Sequence, residues 1–153
     1  FRAPSWYSSV AFSLLIADSG MPSPTGEIVG RVRHQWKQEQ PHYDALFSQI
    51  GSIVEDARQA IEQGDVEALG PLMDQNHELL VEMGVSSSRL EDQVESACIS
   101  GALGAKLSGA GEGGNMIALV EDDEAEEVAQ ALKQAGALRV IHTQVCAPET
   151  MGE

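Results

Sequence analysis

Apolar residues recur along this chain at two different spacings, and the change from one to the other divides it. Residues 10–17, VAFSLLIA, mix β-branched, aromatic and aliphatic side chains and stop at Asp18-Ser19-Gly20, which predicts a buried strand with a turn after it. Beyond Pro22, Ile28, Val29, Val32 and Trp36 return at helical spacing. Ser23 is placed to cap that helix with Pro24 at its first position, where a missing N–H costs nothing, and Pro41 is expected to mark its end. A second helix begins around Tyr43, carries Leu46, Ile50, Ile53, Val54, Ala57 and Ile61 on one side, and closes at Gly64. Asp65 can cap a third segment bearing Val66, Leu69, Leu72, Met73, Leu79, Leu80 and Met83, which Gly70-Pro71 is expected to kink or interrupt. Ser88 and Glu91 spell a capping box for a fourth helix through Leu90, Val94, Ala97 and Cys98.

The character then changes. GALGAKLSGAGEGGNMIALV reads as a strand, a glycine-rich loop and a second strand, because NMIALV is a short apolar run without helical spacing. EDDEAEEVAQALKQAG predicts a helix with acids crowding its first turns and Lys133 near its end, a polarity that suits the helix dipole. ALRVIHTQV is a last strand with imperfect alternation, and PETMGE reads as a loose tail. Helices and strands are partly segregated, which predicts an α+β domain with a small, mostly antiparallel sheet covered by several helices.

Charge narrows the function classes. Twenty-four Asp and Glu against nine Lys and Arg give a formal net charge of -15. Nucleic acid requires its phosphates to be neutralised by Lys and Arg, so it is not an expected partner, and an anionic membrane surface is disfavoured for the same reason. Phosphorylated small molecules stay open, since backbone N–H groups bind anions locally. Cys98 and Cys146 lie far apart and outside any CxxC pattern; Cys98 reads as a buried free thiol. No signal peptide or transmembrane run appears, and cytoplasm is the default expectation. The opening FRAPSW without an initiator Met is read as a cut within a longer protein.

Ser108-Gly109-Ala110-Gly111-Glu112-Gly113-Gly114 is the most informative stretch. Four glycines in six residues permit positive φ and let a ligand or another backbone come close, and successive N–H groups in such a loop can cup an anion. A Walker A loop needs Lys after its glycines, whereas Lys106 precedes them and Asn115 follows. Gly109, Gly111 and Gly114 match GxGxxG, but a dinucleotide fingerprint needs a helix behind it, and NMIALV predicts a strand. A glycine-rich connection between two strands remains as the third reading.

Wider context adds a resemblance. GALGAKLSGAGEGGNMIALV resembles the third motif of the galactokinase–homoserine kinase–mevalonate kinase–phosphomevalonate kinase superfamily, in which a K-L-[ST]-G strand leads into a glycine-rich loop and a small-apolar strand. LLIADSGMPSPTGEIVGRVR and LGPLMDQNHELLVEMGVSSSRLEDQVESA are similar to stretches of mevalonate kinases in particular, so the resemblance runs from about residue 12 to 145. It implies a ferredoxin-like C-terminal domain over residues 1–153 and transfer of the γ-phosphoryl group of ATP, with Mg2+, to the primary hydroxyl of mevalonate in isoprenoid precursor synthesis. The ATP-gripping loop, the catalytic Asp and the helping Lys would lie in an N-terminal domain that this sequence does not include. No catalytic residue or metal ligand is then expected here, and the chain alone is expected to be inactive. Ser108, Gly109, Ala110, Gly111, Gly113 and Gly114 would approach the substrate and the transferred phosphate, with Thr25 near the substrate pocket. The implied partners are mevalonate, ATP and the N-terminal domain, with a homodimer as a further candidate. Another kinase of the superfamily, such as a phosphomevalonate or homoserine kinase, is the alternative, as is a non-catalytic binding module of the same fold. The family usually carries glycine where Glu112 stands, and the carboxylate is expected to turn outward into solvent.

Other residues have simpler readings. Asp18 fits a turn, and Thr25 fits a helix start. His77 has no second His at i+3 or i+4 and is expected to pack or hydrogen-bond near the site, not to bind metal. Lys106 is expected either to reach an anion or to sit in solvent.

Overall fold

In the computed structural model, which describes residues 8 and 10–146, the chain folds as one strand, four helices, a β-hairpin, a helix and a final strand. The strands are β1 (Phe12–Asp18), β2 (Gly104–Ser108), β3 (Asn115–Val120) and β4 (Arg139–Val145). They form one sheet in the order β2-β3-β1-β4, and all three pairings are antiparallel. This is the ferredoxin-like strand order, with four helices filling the first connection. The expected loose tail and the opening FRAPSW lie outside the described residues.

The helices are α1 (Thr25–Gln38), α2 (Gln40–Gln63), α3 (Val66–Glu82), α4 (Ser88–Ile99) and α5 (Ala125–Gln134). Alternation along β1 buries Ser13, Leu15 and Ala17 on one face of the sheet. There Leu15 and Ala17 join Leu107, Met116, Ala118, Leu90, Val128 and Leu132 in the main core. A smaller cluster on the opposite face sets Leu119 and Leu14 against Leu69 and Met73 of α3 and Ile61 of α2.

Several helix boundaries differ from expectation. Ser23 does not cap α1: Pro24 takes the cap position without a side-chain bond, and the Ser23 hydroxyl donates to Gly111 O at 2.8 Å. Its proton has found a carbonyl in the glycine loop, leaving the helix end uncapped. Pro41 opens α2 near its first turn, where its missing N–H is harmless, so the second helix starts before Tyr43. Ser87, not Ser88, caps α4, accepting from Leu90 N at 3.4 Å, so the expected capping box with Glu91 does not form. Asp65 caps α3 as expected, through Ala68 N at 3.0 Å.

Gly70-Pro71 does not interrupt α3, which runs unbroken through both residues. The glycine serves a packing purpose: α3 and β2 meet backbone to backbone. A Cβ on Gly70 would lie 2.2 Å from Leu103 O, and one on Gly104 would lie 2.1 Å from Gly70 O. We therefore expect Gly104→Ala to destabilise the fold by about 1–3 kcal/mol, the usual cost of overpacking, read as a lower midpoint in denaturant unfolding.

Candidate functional site

The loop between β2 and β3 sits where two other turns converge. One joins β1 to α1 (residues 19–24), and the other joins α3 to α4 (residues 83–87). Ser19 N donates to Gly114 O at 2.8 Å, and Gly114 N donates to Met21 O at 2.9 Å. From the other side, Glu112 N donates to Val85 O at 2.8 Å. The loop is thus sewn to both neighbours by its own backbone.

That stitching explains its composition. Gly109, Gly111 and Gly114 have φ of 98°, 96° and 71°, a region that side chains disfavour. Space sets a second demand at two positions. A Cβ on Gly111 would lie 1.8 Å from Val85 O, and one on Gly113 would lie 2.3 Å from Pro22 O. Gly111 and Gly113 are buried, whereas Ser108 and Gly109 are exposed and Ala110 is half-buried. An added Cβ at Gly109 would meet nothing within 4 Å. Among the described residues, the amides of Gly109 and Ala110 donate to no acceptor within the chain. The open end of the loop can therefore present N–H groups to an anion, while its far end is spent on holding the loop in place.

Glu112 also has positive φ, at 57°, an uncommon conformation for a residue with a side chain. Its carboxylate does not simply turn into solvent as expected. It pairs with the Arg31 guanidinium on α1, both side chains being partly exposed. α1 carries Arg31, Arg33 and Lys37, three of the nine Lys and Arg in the chain. A groove of about 470 Å³ runs beside the loop, lined by Ile28, Val32, Trp36, Leu80 and Met83 together with Arg33, Gly109 and Ala110.

The remaining candidates fall as follows. Thr25 is the exposed first residue of α1, and its hydroxyl donates to Ser23 O at 3.5 Å. Asp18 forms the expected turn by accepting from Gly20 N at 2.9 Å. Lys106 reaches no carboxylate among the described residues: it is half-buried, donates to Leu107 O at 2.8 Å, and has its pKa lowered by burial. His77 is buried and accepts from Leu107 N through Nδ1 at 3.2 Å. Cys98 is a half-buried free thiol, pushed up to about 11 by burial, with Asp74 adding to the effect. Among the described residues, no group of three or more His, Cys, Asp or Glu side chains could hold a metal ion. No helix among them is long and apolar enough to cross a membrane.

Sequence reasoning did not anticipate the two turns that hold the loop, because their grip is made by carbonyl and amide groups that every residue carries. Ser23 was readable only as a helix cap. Arg31 gave no signal in isolation.

Known proteins share this fold. Over 137 residues the chain is 36% identical to the mevalonate kinase of Thermococcus sibiricus, covering 86% of this chain and 41% of that protein. The chain thus spans about two fifths of the length of the curated relatives it matches. The crystal structure of L. major mevalonate kinase in complex with R-mevalonate superposes with a TM-score of 0.89 at 31% identity, over 94% of this chain and 45% of that one. Streptococcus pneumoniae phosphomevalonate kinase, at 17% identity, shares the fold with a TM-score of 0.75 over 90% of this chain and 41% of that one. The family model described as GHMP kinases C terminal matches residues 57–138, more than half of the chain. The chain belongs to the GHMP kinase family and carries its C-terminal domain.

Proposed function

We propose that residues 1–153 form the C-terminal domain of a mevalonate kinase, and that the Ser108–Gly114 loop lines its active-site cleft. The observation that carries this reading is the open end of the loop, where among the described residues the Gly109 and Ala110 amides have no partner, while Gly111, Glu112 and Gly114 are bonded to the neighbouring turns. The choice of mevalonate follows the mevalonate kinases to which the chain is similar over most of its length.

In this reading Ser108, Gly109 and Ala110 face the transferred phosphate and the substrate. Gly111, Gly113 and Gly114 keep the loop in contact with the turns that hold it, and Thr25 borders the substrate pocket. Phosphoryl transfer depends mostly on positioning and on electrostatic stabilisation of the moving group. Fixed N–H dipoles contribute to the second without reorganising during the reaction. ATP is the phosphoryl donor, bound mainly by the N-terminal domain together with Mg2+, whose bound form neutralises phosphate charge. The described residues of this chain do not converge as a metal-ligand set, and none of them is assigned to the ion.

The full-length protein is expected to form ADP from ATP and Mg2+ only when mevalonate is added, while the 1–153 chain alone shows no turnover. Coupled ADP detection with mevalonate, phosphomevalonate and homoserine checks both statements. Preference for one of the other two acceptors would reassign the substrate, and ADP formation by the isolated chain would refute the division of labour.

Glu112 is directed to Arg31, and its charge is balanced there. Glu112→Gly in the full-length protein should therefore leave kcat/KM for mevalonate within about threefold of the parent. Stability should change by less than about 1 kcal/mol, because a part-exposed ion pair is worth little and glycine adopts positive φ without penalty. Steady-state kinetics and urea unfolding measure the two effects.

A further inference from the structure

β2 is an edge strand, and an edge strand has a row of amides that the sheet does not use. In this chain two of those amides are taken by side chains one helical turn apart on α3. Ala105 N donates to Asp74 Oδ1 at 2.8 Å, and Leu107 N donates to His77 Nδ1 at 3.2 Å. The spacing matches on both sides: Asp74 and His77 are i and i+3 on a helix, and Ala105 and Leu107 are i and i+2 on a strand, so each pair faces one way. α3 stands in for a missing fifth strand. Leu107 is the last residue before Ser108, where the glycine loop opens.

We propose that His77 is a positioning residue of the glycine loop, holding the end of β2 in register through Leu107 N and releasing it when the imidazole is protonated. Its place in catalysis rests on the kinase reading; the tether itself does not. Acceptance at Nδ1 puts the ring proton on Nε2. A protonated ring carries N–H at both nitrogens, so Nδ1 would then face the Leu107 amide donor to donor. Leu107 is 1% exposed, and no water can take over as acceptor without the packing opening.

The charges around the ring pull in both directions. Burial is the largest influence and lowers the His77 pKa, and Lys106 of β2 acts in the same sense. Glu91 of α4 and Asp74 and Glu78 of α3 oppose it. With the folded pKa below that of the unfolded chain, the folded state binds fewer protons. The tether's contribution is therefore complete above about pH 6.5, the unperturbed value for His. It is lost as pH falls from there through the lowered folded value.

The test compares wild type, His77→Asn and His77→Leu in the full-length protein. Asn can present an acceptor oxygen where Nδ1 stands and does not titrate; Leu fills space without an acceptor. Hydrogen exchange of residues 104–114 is followed by mass spectrometry from about pH 7.5 to about pH 5.5, corrected for intrinsic exchange. kcat/KM is measured over the same range. Wild type should lose protection in acid, His77→Asn should hold it throughout, and His77→Leu should exchange about tenfold faster at every pH. The acid limb of kcat/KM belonging to His77 should vanish in His77→Asn.

Wild-type protection in His77→Leu, or an unchanged acid loss in His77→Asn, overturns the proposal. If His77→Leu does not fold, the pH response of His77→Asn decides alone. If wild type shows no turnover with mevalonate, the kinase reading fails, and the exchange measurements still decide the tether.

Discussion

The structure depends on the closeness of one helix to one strand edge. Gly70 and Gly104 remove the side chains that would keep α3 and β2 apart, and Asp74 and His77 then reach the amides of Ala105 and Leu107. Neither part works without the other. A helix held a few ångströms further out could not present short acceptors to a strand, and a bare edge beside a closely packed helix would bury unpaired N–H groups, each a substantial penalty. The hairpin that carries the glycine loop starts from this contact.

From there the loop's shape follows. β3 returns antiparallel to β2 and pairs with β1, so the turn after β1 is brought under the loop's second half. The turn before α4 arrives from the other side with Val85 O. Two carbonyl-bearing walls leave no space for side chains at Gly111 and Gly113, while the outer end at Gly109 is unconstrained by neighbours. One glycine-rich segment thus contains residues of two kinds, those that admit a neighbouring backbone and those with open space around them.

Much of the fold was legible in the residues. The long helices announced themselves through Leu46, Ile50 and Ile61 or Leu69 and Met73, whose spacing has one physical explanation. NMIALV read as a strand because its apolar run is too short and too continuous for a helix side, and that reading separated the loop from a dinucleotide fingerprint. The errors lay at boundaries. Ser23 and Ser88 were assigned as caps because a hydroxyl before a helix usually bonds its end, yet Ser23 bonds Gly111 across 88 positions of sequence. Gly70 was read as a local weakness, although its purpose is a partner thirty-four residues away, and no local pattern encodes such a contact. The six loop residues and Thr25 were candidates through family resemblance alone, whereas the carbonyls that hold the loop gave no sign in the sequence.

Glu112 shows a compromise within a single residue. Its backbone occupies a conformation that glycine adopts freely, while its carboxylate makes a charged link between the loop and α1. Backbone ease has been given up in exchange for a cross-brace. Because that brace is an ion pair near the surface, its strength follows the salt content of the surrounding solution. The stiffness of this part of the loop is therefore a property of the medium as well as of the fold.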